Sequence, residues 1–434
     1  MDMMTLSVVA LVIMIVMVLS GMQVGLSMAI VGFVGLIVAK DFNIAMSVLR
    51  TVPSNIASSY VFTVIPLFIL MGHAAYKAGI SDGLFDSANK WLSRLPGNIA
   101  CASTVTCATF SAICGSQLAT TATVGTIVLP KMFSEGYSKR LAAGVVSVSG
   151  GIGMLIPPST VMIVYGVATE NSIGKLFAAG VFPGILLGIV ILMQIQLIIL
   201  TDRSVAPRGY KCSWGERIKS LKNLWAIVIL FVVVLVGMFS GFYTVNEAAA
   251  VGAFFAILLM AIKGKLNWQN LKDILRDTVS ISGMIFILII GGTIFGHFLT
   301  HTRMPMHLAN FIAGLEVNRY IILTCIFLIY VVLGAMMDEM PMIMLTVPIF
   351  YPIMMNLGFD PIWFGVFIML VCCIGVICPP VGINCYVVAG LFKELPLSTV
   401  YRGAVPFLAA ITVVAIIITA LPQIATWLPN VLYG

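Results

Sequence analysis

The sequence predicts an all-α polytopic membrane protein built from two inverted repeats, each with about five transmembrane helices and one re-entrant hairpin. Three observations carry that expectation. Of 434 residues, 61% are apolar and 9% charged, with a mean hydropathy of +1.12, far from soluble composition. Two apolar segments are interrupted alike, by Gly150-Gly151-Ile152-Gly153-Met154-Leu155-Ile156-Pro157-Pro158-Ser159 and by Gly375-Val376-Ile377-Cys378-Pro379-Pro380-Val381-Gly382. Glycine and proline are poor in helix interiors, and non-helical backbone at membrane depth persists only inside protein or beside a watery cavity. Landmarks also recur in order at offsets of 218 to 223 residues. Phe68-Ile69-Leu70 recurs as Phe286-Ile287-Leu288, Gly115 as Gly334, Pro130 as Pro348, Pro157-Pro158 as Pro379-Pro380, and Gly180-x-x-Pro183 as Gly403-x-x-Pro406. Ordered recurrence at a nearly fixed offset is the mark of an internal repeat.

The first repeat is expected over residues 1–200. Spans at 5–20 and 22–39 open it, the first retained because no small-residue cleavage signal follows. A polar stretch through Lys40, Asp41 and Arg50 leads to a span at 60–78 and an interfacial stretch at 81–95. A hairpin follows over about 98–132, with Gly115-Ser116-Gln117 as its turn. Fifteen residues of helix cover about 22 Å against a hydrocarbon core of about 30 Å, so its arms are re-entrant rather than crossing. The broken helix at about 140–168 and a span at 175–200 close the half. Residues 201–223, with Arg203, Arg208, Lys211, Arg217, Lys219 and Lys222, form a basic linker.

The second repeat is expected over 224–434, with spans at 224–242, 245–262 and 278–299. Interfacial stretches fall at 267–277 and 304–315. A hairpin at about 320–355 (turn 334–339), a broken helix at about 363–392 and a span at 404–421 complete it. Five crossings per half give the halves opposite orientations. With the linker in the cytoplasm, eighteen of the 23 basic residues lie on its side and only Lys40, Arg50, Lys175, Arg303 and Arg319 on the other. The positive-inside rule favours that arrangement, with both termini on the outer face.

Several function classes are disfavoured. The net charge of +7 fits cytoplasmic loops, and no basic stripe interleaved with aromatics suggests a nucleic-acid partner. The nine cysteines form no CxxC or Cys/His set and read as small apolar packing residues. No P-loop, HExxH or Asp-rich Mg²⁺ motif occurs, so an enzyme is not expected and any uptake must draw on an ion gradient or membrane potential.

The hairpin tips and helix breaks instead gather oxygens. The first tip offers Ser111, Ser116, Gln117, Thr120, Thr121 and Thr123, and the first break Ser147, Ser149 and Ser159. The second half offers Asp338, Thr346, Asn384 and the carbonyls freed at 378–382. Such oxygens suit a hard monovalent cation, and half-helix N-termini suit an anion. Against this, single hydroxyls in membrane helices commonly bond their own backbone. Asp338 is the strongest single candidate, since a carboxylate at mid-membrane costs about 2.5–3.5 kcal/mol on insertion scales. The bland reading is that Asp338 and Glu339 are solvated at an aqueous face. Glu247 reads as a helix-start acid.

Several segments resemble the large membrane subunit of tripartite ATP-independent periplasmic (TRAP) transporters. They are 115–130 (opening Gly115-Ser116-Gln117-Leu118 and closing Val128-Leu129-Pro130), Ile156-Pro157-Pro158-Ser159, and Tyr165-Gly166 through Glu170 to Ser172-Ile173-Gly174-Lys175-Leu176-Phe177. Asn246-Glu247-Ala248-Ala249-Ala250-Val251-Gly252-Ala253, Gly358-Phe359-Asp360-Pro361 with Phe364-Gly365, and Pro379-Pro380-Val381-Gly382-Ile383-Asn384 complete the set. Gln117, Cys378 and Asn246 depart from the residues usual there. The resemblance implies an elevator-type, sodium-coupled importer of a small organic acid in the bacterial inner membrane, the acid being a C4-dicarboxylate, sialic acid or a related carboxylate. It implies two partners, a periplasmic substrate-binding protein and a small four-helix membrane subunit. With no such subunit ahead of residue 1, an unfused large subunit is expected. Carried onto this chain, substrate contacts are expected at Ser116, Gln117, Thr120, Ser159 and Asn384. Na⁺, as coupling ion and not as a cofactor, is expected near Ser111, Gly115, Ser116, Thr123, Gly151, Pro157, Asp338, Thr346, Cys378 and Gly382. The alternative is a stand-alone two-hairpin sodium/anion symporter that needs no binding protein.

Overall fold

The computed structural model describes residues 2–314, 317–392 and 394–434, without the side chains of residues 80–82, 223 and 313, and every regular element among them is helical. In the first half α1 (Met3–Leu19), α2 (Val24–Ala39), α3 (Phe42–Ser58), a 3₁₀ turn with α4 (Val64–Lys77) and α5 (Ile80–Trp91) lead to the pair α6 (Asn98–Cys114) and α7 (Gln117–Ser134). Then α8 (Lys139–Ser149) and α9 (Thr160–Ala168) flank the first break, and α10 (Ile173–Thr201) follows. The linker carries α11 (Trp214–Leu221). Next, α12 (Trp225–Phe231), a π-helical turn and α13 (Gly237–Phe239) form one rod before α14 (Val245–Ile262), α15 (Trp268–Thr302) and α16 (Met304–Gly314). The pair α17 (Arg319–Gly334) and α18 (Glu339–Asn356) precedes α19 (Pro361–Gly375), the second break, α20 (Ile383–Leu391), α21 (Leu397–Ala420) and α22 (Gln423–Tyr433).

Among the described residues, five single helices are long and apolar enough to cross a bilayer: Tyr60–Lys77, Ile173–Thr201, Val245–Ile262, Trp268–Thr302 and Leu397–Ala420. Exposed apolar stripes such as Ile185, Ile189, Met193 and Leu197 on α10 identify lipid-facing surface. By contrast α19 is apolar all round, and each residue from Ile362 to Gly375 is buried, as such a helix must be.

The two halves pack on each other reciprocally. α2 lies on α15 and α14 on α4; α7 lies on α20 and α18 on α9; α8 lies on α21 and α10 on α19. At the α8–α21 crossing a Cβ on Gly144 would stand 2.2 Å from the Gly403 carbonyl oxygen, and one on Gly403 would stand 2.0 Å from that of Arg140. Only glycine permits backbones that close.

Residues expected on the linker's side are drawn together. Lys77 Nζ lies 3.0 Å from Asp273, the Gly97 amide donates to Pro207 at 3.0 Å, the Tyr210 amide to Ser93 at 2.7 Å, and Arg140 Nε to the Arg402 carbonyl at 2.8 Å. Residues expected on the other face also meet, for example Asn246 with Thr63 and α22 with α10. Lys393 and residue 315, which ended an expected surface helix, lie outside the described residues.

Some expectations are corrected. The stretch after Lys40 is a helix, α3, capped by Asp41, whose carboxylate accepts from the Ile44 amide at 2.9 Å. The linker is partly helical, and α22 follows the last span. The expected interfacial stretch 267–277 and the span after it form one helix of 35 residues. At 1.5 Å per residue that rod is about 52 Å long, so its charged first turns stand beyond a hydrocarbon core of about 30 Å. Both hairpin turns are tighter than expected, since Gln117 and Glu339 are the first residues of helices.

Candidate functional site

The first hairpin tip is tied to the first break. Gly115 takes a left-handed conformation (φ +64°), and a Cβ there would lie 3.2 Å from the Pro158 carbonyl oxygen. Its own carbonyl accepts from Thr160 Oγ1 at 2.7 Å. Ser116 caps α7, its hydroxyl accepting from the Ala119 amide at 3.3 Å, while its carbonyl accepts from Thr120 Oγ1 at 2.8 Å. Ser111 Oγ donates to Thr120 Oγ1 at 2.9 Å. The break itself is a 3₁₀ turn, Gly150–Met154, then a loop with a cis Pro157-Pro158 bond, and Ser159 caps α9. The Gly151 carbonyl accepts from Cys373 Sγ at 3.0 Å. Ser111, Gly115, Thr120, Gly151, Pro157 and Ser159 are all buried, with Ser116 half-buried. Thr123 sits half-exposed on α7 and shares no hydrogen bond with them.

The second tip meets the second break in the same way, through the Val381 amide donating to the Ala335 carbonyl at 3.0 Å. Here the break has a cis Pro379-Pro380 bond and opens outward: Pro379, Pro380 and Tyr386 are exposed and Cys378 half-buried. Tyr401 Oη lies 2.8 Å from the Pro380 carbonyl oxygen and 2.5 Å from that of Val381. Gly382, in the left-handed region at φ +53°, starts α20. Thr346 is taken up inside its own hairpin, 2.7 Å from the Met342 carbonyl oxygen and 2.5 Å from Tyr330 Oη.

The two tips and the second break converge on one polar chain. Gln117 Nε2 donates to Glu339 Oε2 at 2.6 Å, and Gln117 Oε1 accepts from Asn384 Nδ2 at 3.3 Å. Asn384 Nδ2 also donates to the Ser147 carbonyl at 3.0 Å. All three side chains are buried, Glu339 at 3% exposure and Asn384 at 0%. The solvated reading of Glu339 is therefore wrong. Its neighbour Asp338 starts α18 without capping it, and its Oδ1 is buried with no hydrogen-bond partner. Thr121 Oγ1 and Asn384 Oδ1 are likewise buried and unpartnered. Each such atom costs about 1–3 kcal/mol. Among the described residues no group of three or more His, Cys, Asp or Glu side chains is placed to hold a metal ion; what the site offers a cation is hydroxyl, amide and carbonyl oxygens and the two tip carboxylates.

The sequence expectations thus separate. Gln117 and Asn384 are in contact, and Ser111, Gly115, Ser116 and Thr120 form one cluster. Thr123 and Thr346 stand apart from both. Glu339, Thr160 and Tyr401 were not singled out. Of these only Glu339 left a trace in the sequence, as the second of two acids at a hairpin tip. An opening of about 790 Å³ lies where the α9–α10 loop faces the start of α14, lined by Tyr60, Phe62, Glu170, Asn171, Ser172 and Asn246 among others. Glu247 behaves as expected, in a capping box with Thr244.

The family described as "Tripartite ATP-independent periplasmic transporter, DctM component" matches residues 11–424. The chain is 35% identical over 373 residues to the C4-dicarboxylate TRAP transporter large permease protein DctM of Pseudomonas aeruginosa, with 86% of each chain covered. It is 30% identical over 420 residues to the sialic acid TRAP transporter large permease protein SiaM of Vibrio cholerae, with 96% of each covered. Among solved structures, the Alcanivorax borkumensis YdaH transporter superposes with a TM-score of 0.61 over 89% of both chains. At 13% identity that likeness shows the fold alone.

Proposed function

The chain belongs to the family of tripartite ATP-independent periplasmic transporters as their large membrane subunit, and from that premise we propose that it takes up a small carboxylate coupled to sodium. The relatives' cargoes, C4-dicarboxylates and sialic acid, set the range. The observation that carries the reading is the Glu339–Gln117–Asn384 chain, which joins both tips and one break in buried surroundings. Buried oxygens without partners at Asp338, Thr121 and Asn384 support bound ions, because a cation or substrate would remove their desolvation cost.

In this reading the substrate carboxylate meets Ser116, Gln117, Thr120, Ser159 and Asn384. Sodium lies near Ser111, Gly115, Ser116, Thr123, Gly151 and Pro157 at the first tip, and near Asp338, Thr346, Cys378 and Gly382 at the second. The halves are inverted repeats, a relation supported by their reciprocal packing. The hairpins and broken helices move together as an elevator against the remaining spans. The linker faces the cytoplasm and both termini the periplasm, across the inner membrane. A periplasmic binding protein hands over the substrate, and a small four-helix subunit completes the scaffold. Two Na⁺ balance a dicarboxylate, and each further one adds about 2.3 kcal/mol of drive per 100 mV.

Proteoliposomes holding both membrane subunits test this. Uptake is expected only with an inward sodium gradient and the binding protein present. Uptake that persists without the binding protein would favour a stand-alone symporter, and uptake indifferent to sodium would sink the coupling.

A further inference from the structure

A large groove of about 900 Å³, bounded by α5, α6, α10, the end of α11 and the rod that begins with α12, takes no part in the proposed transport site. Its walls are apolar except for three hydroxyls, and each of these is already bonded. Ser87 Oγ donates to the Ser220 carbonyl at 2.8 Å, Thr109 Oγ1 to that of Val105 at 2.8 Å, and Thr104 pairs with Ser149 at 3.0 Å. An occupant therefore needs no polar atoms along its length. A hydrocarbon chain fits.

One end of the groove is marked. Trp91 lines it and meets Trp214 edge-on at 6.4 Å, and paired tryptophans characterise the headgroup level of a membrane. The Arg217 guanidinium stacks over Trp214 at 5.2 Å, is 6% exposed, and has no hydrogen-bond partner for Nε among the described residues. Arg94, Lys219 and Lys222 are exposed beside these tryptophans and the groove-lining Leu221 in the chain. The nearby acids are occupied: Asp86 holds Lys90 at 2.8 Å, and Glu216 accepts from Ser213. Positive charge is left over where a headgroup would lie.

We propose that this groove binds an anionic phospholipid, its acyl chains along α6 and α10 and its headgroup against Arg217, Lys219, Lys222 and Arg94. Because the groove lies between α6 and α10 on one side and α5 and α12 on the other, the lipid would be a packing component of that seam.

Native mass spectrometry of the purified protein, titrated with phosphatidylglycerol or with phosphatidylethanolamine of the same chains, tests the proposal without requiring transport. The wild type should retain phosphatidylglycerol with about a tenfold preference, and Lys219→Gln with Lys222→Gln should remove most of it. Gly188→Trp, at a groove residue where a Cβ meets nothing within 4 Å, should lower retention of both lipids, with Ala108→Leu as a milder check should the bulkier change impair folding. Equal retention of the two lipids, retention unchanged in the groove variants, or a cross-link from Gly188→Cys to a helix of a co-purified membrane protein would each overturn it.

Discussion

Gln117 can hold Glu339 and Asn384 at once because an amide donates and accepts. A serine at this position would have too short a reach to replace both bonds. Gln117→Ala should leave the buried Glu339 carboxyl without this partner and Asn384 with only its bond to the Ser147 carbonyl, lowering stability by about 1–3 kcal/mol, measurable as a lower melting temperature in detergent, together with loss of uptake. The sequence placed Gln117 and Asn384 in the site because both sit beside a glycine or proline break. It favoured Asp338 and passed over Glu339, whose burial depends on the helix starting at that residue, a boundary set by tertiary packing. Thr346 shows another limit: its hydroxyl has a partner within its own hairpin, Tyr330, sixteen residues away and invisible to local pattern.

Among the elements, the apolar helices and both breaks were legible because their signals, hydropathy and paired prolines, are strong. The amphipathic helices α3 and α22 and the linker helix α11 were not, since polar residues dilute hydropathy. A capping box was nevertheless there to be read: Ser213 and Glu216 cap α11 reciprocally. Hydrogen bonds from the Ser213 hydroxyl and amide hold Glu216 below the ordinary carboxylate range. A depressed carboxylate stabilises the fold above its unfolded pKa, near 4.3, and that contribution is lost as pH falls through the lower folded value. Hydrogen exchange at the Glu216 and Arg217 amides, corrected for intrinsic rate, should therefore show α11 fraying only under acid conditions. At the α8–α21 crossing, Gly144→Ala would force a methyl into the Gly403 backbone, with an expected loss of about 1–3 kcal/mol and a fall in melting temperature. Gly188→Ala, inside α10 with open space around it, should lower neither, since alanine is the better helix former.

For the whole molecule, composition foretold a membrane protein, and charge carries the expectation that most of its basic residues share the linker's face. The described contacts bring the linker beside residues 93–97 and 138 and join α4 to α15 at Lys77 and Asp273. What no sequence pattern reveals is that two tips 222 residues apart touch, at Gln117 and Glu339. That contact requires the halves to interlock, and it makes one site of two half-sites. The account's central claim is that this joint site carries sodium with a carboxylate. Simultaneous fluxes of radiolabelled sodium and carboxylate into proteoliposomes, for the wild type and Asp338→Asn, test it most directly. Sodium should enter with the carboxylate at a fixed ratio in the wild type, and both fluxes should fall at least tenfold in the variant, the loss expected when about 1.4 kcal/mol or more of cation binding is removed. Carboxylate accumulating without any sodium flux would contradict the claim.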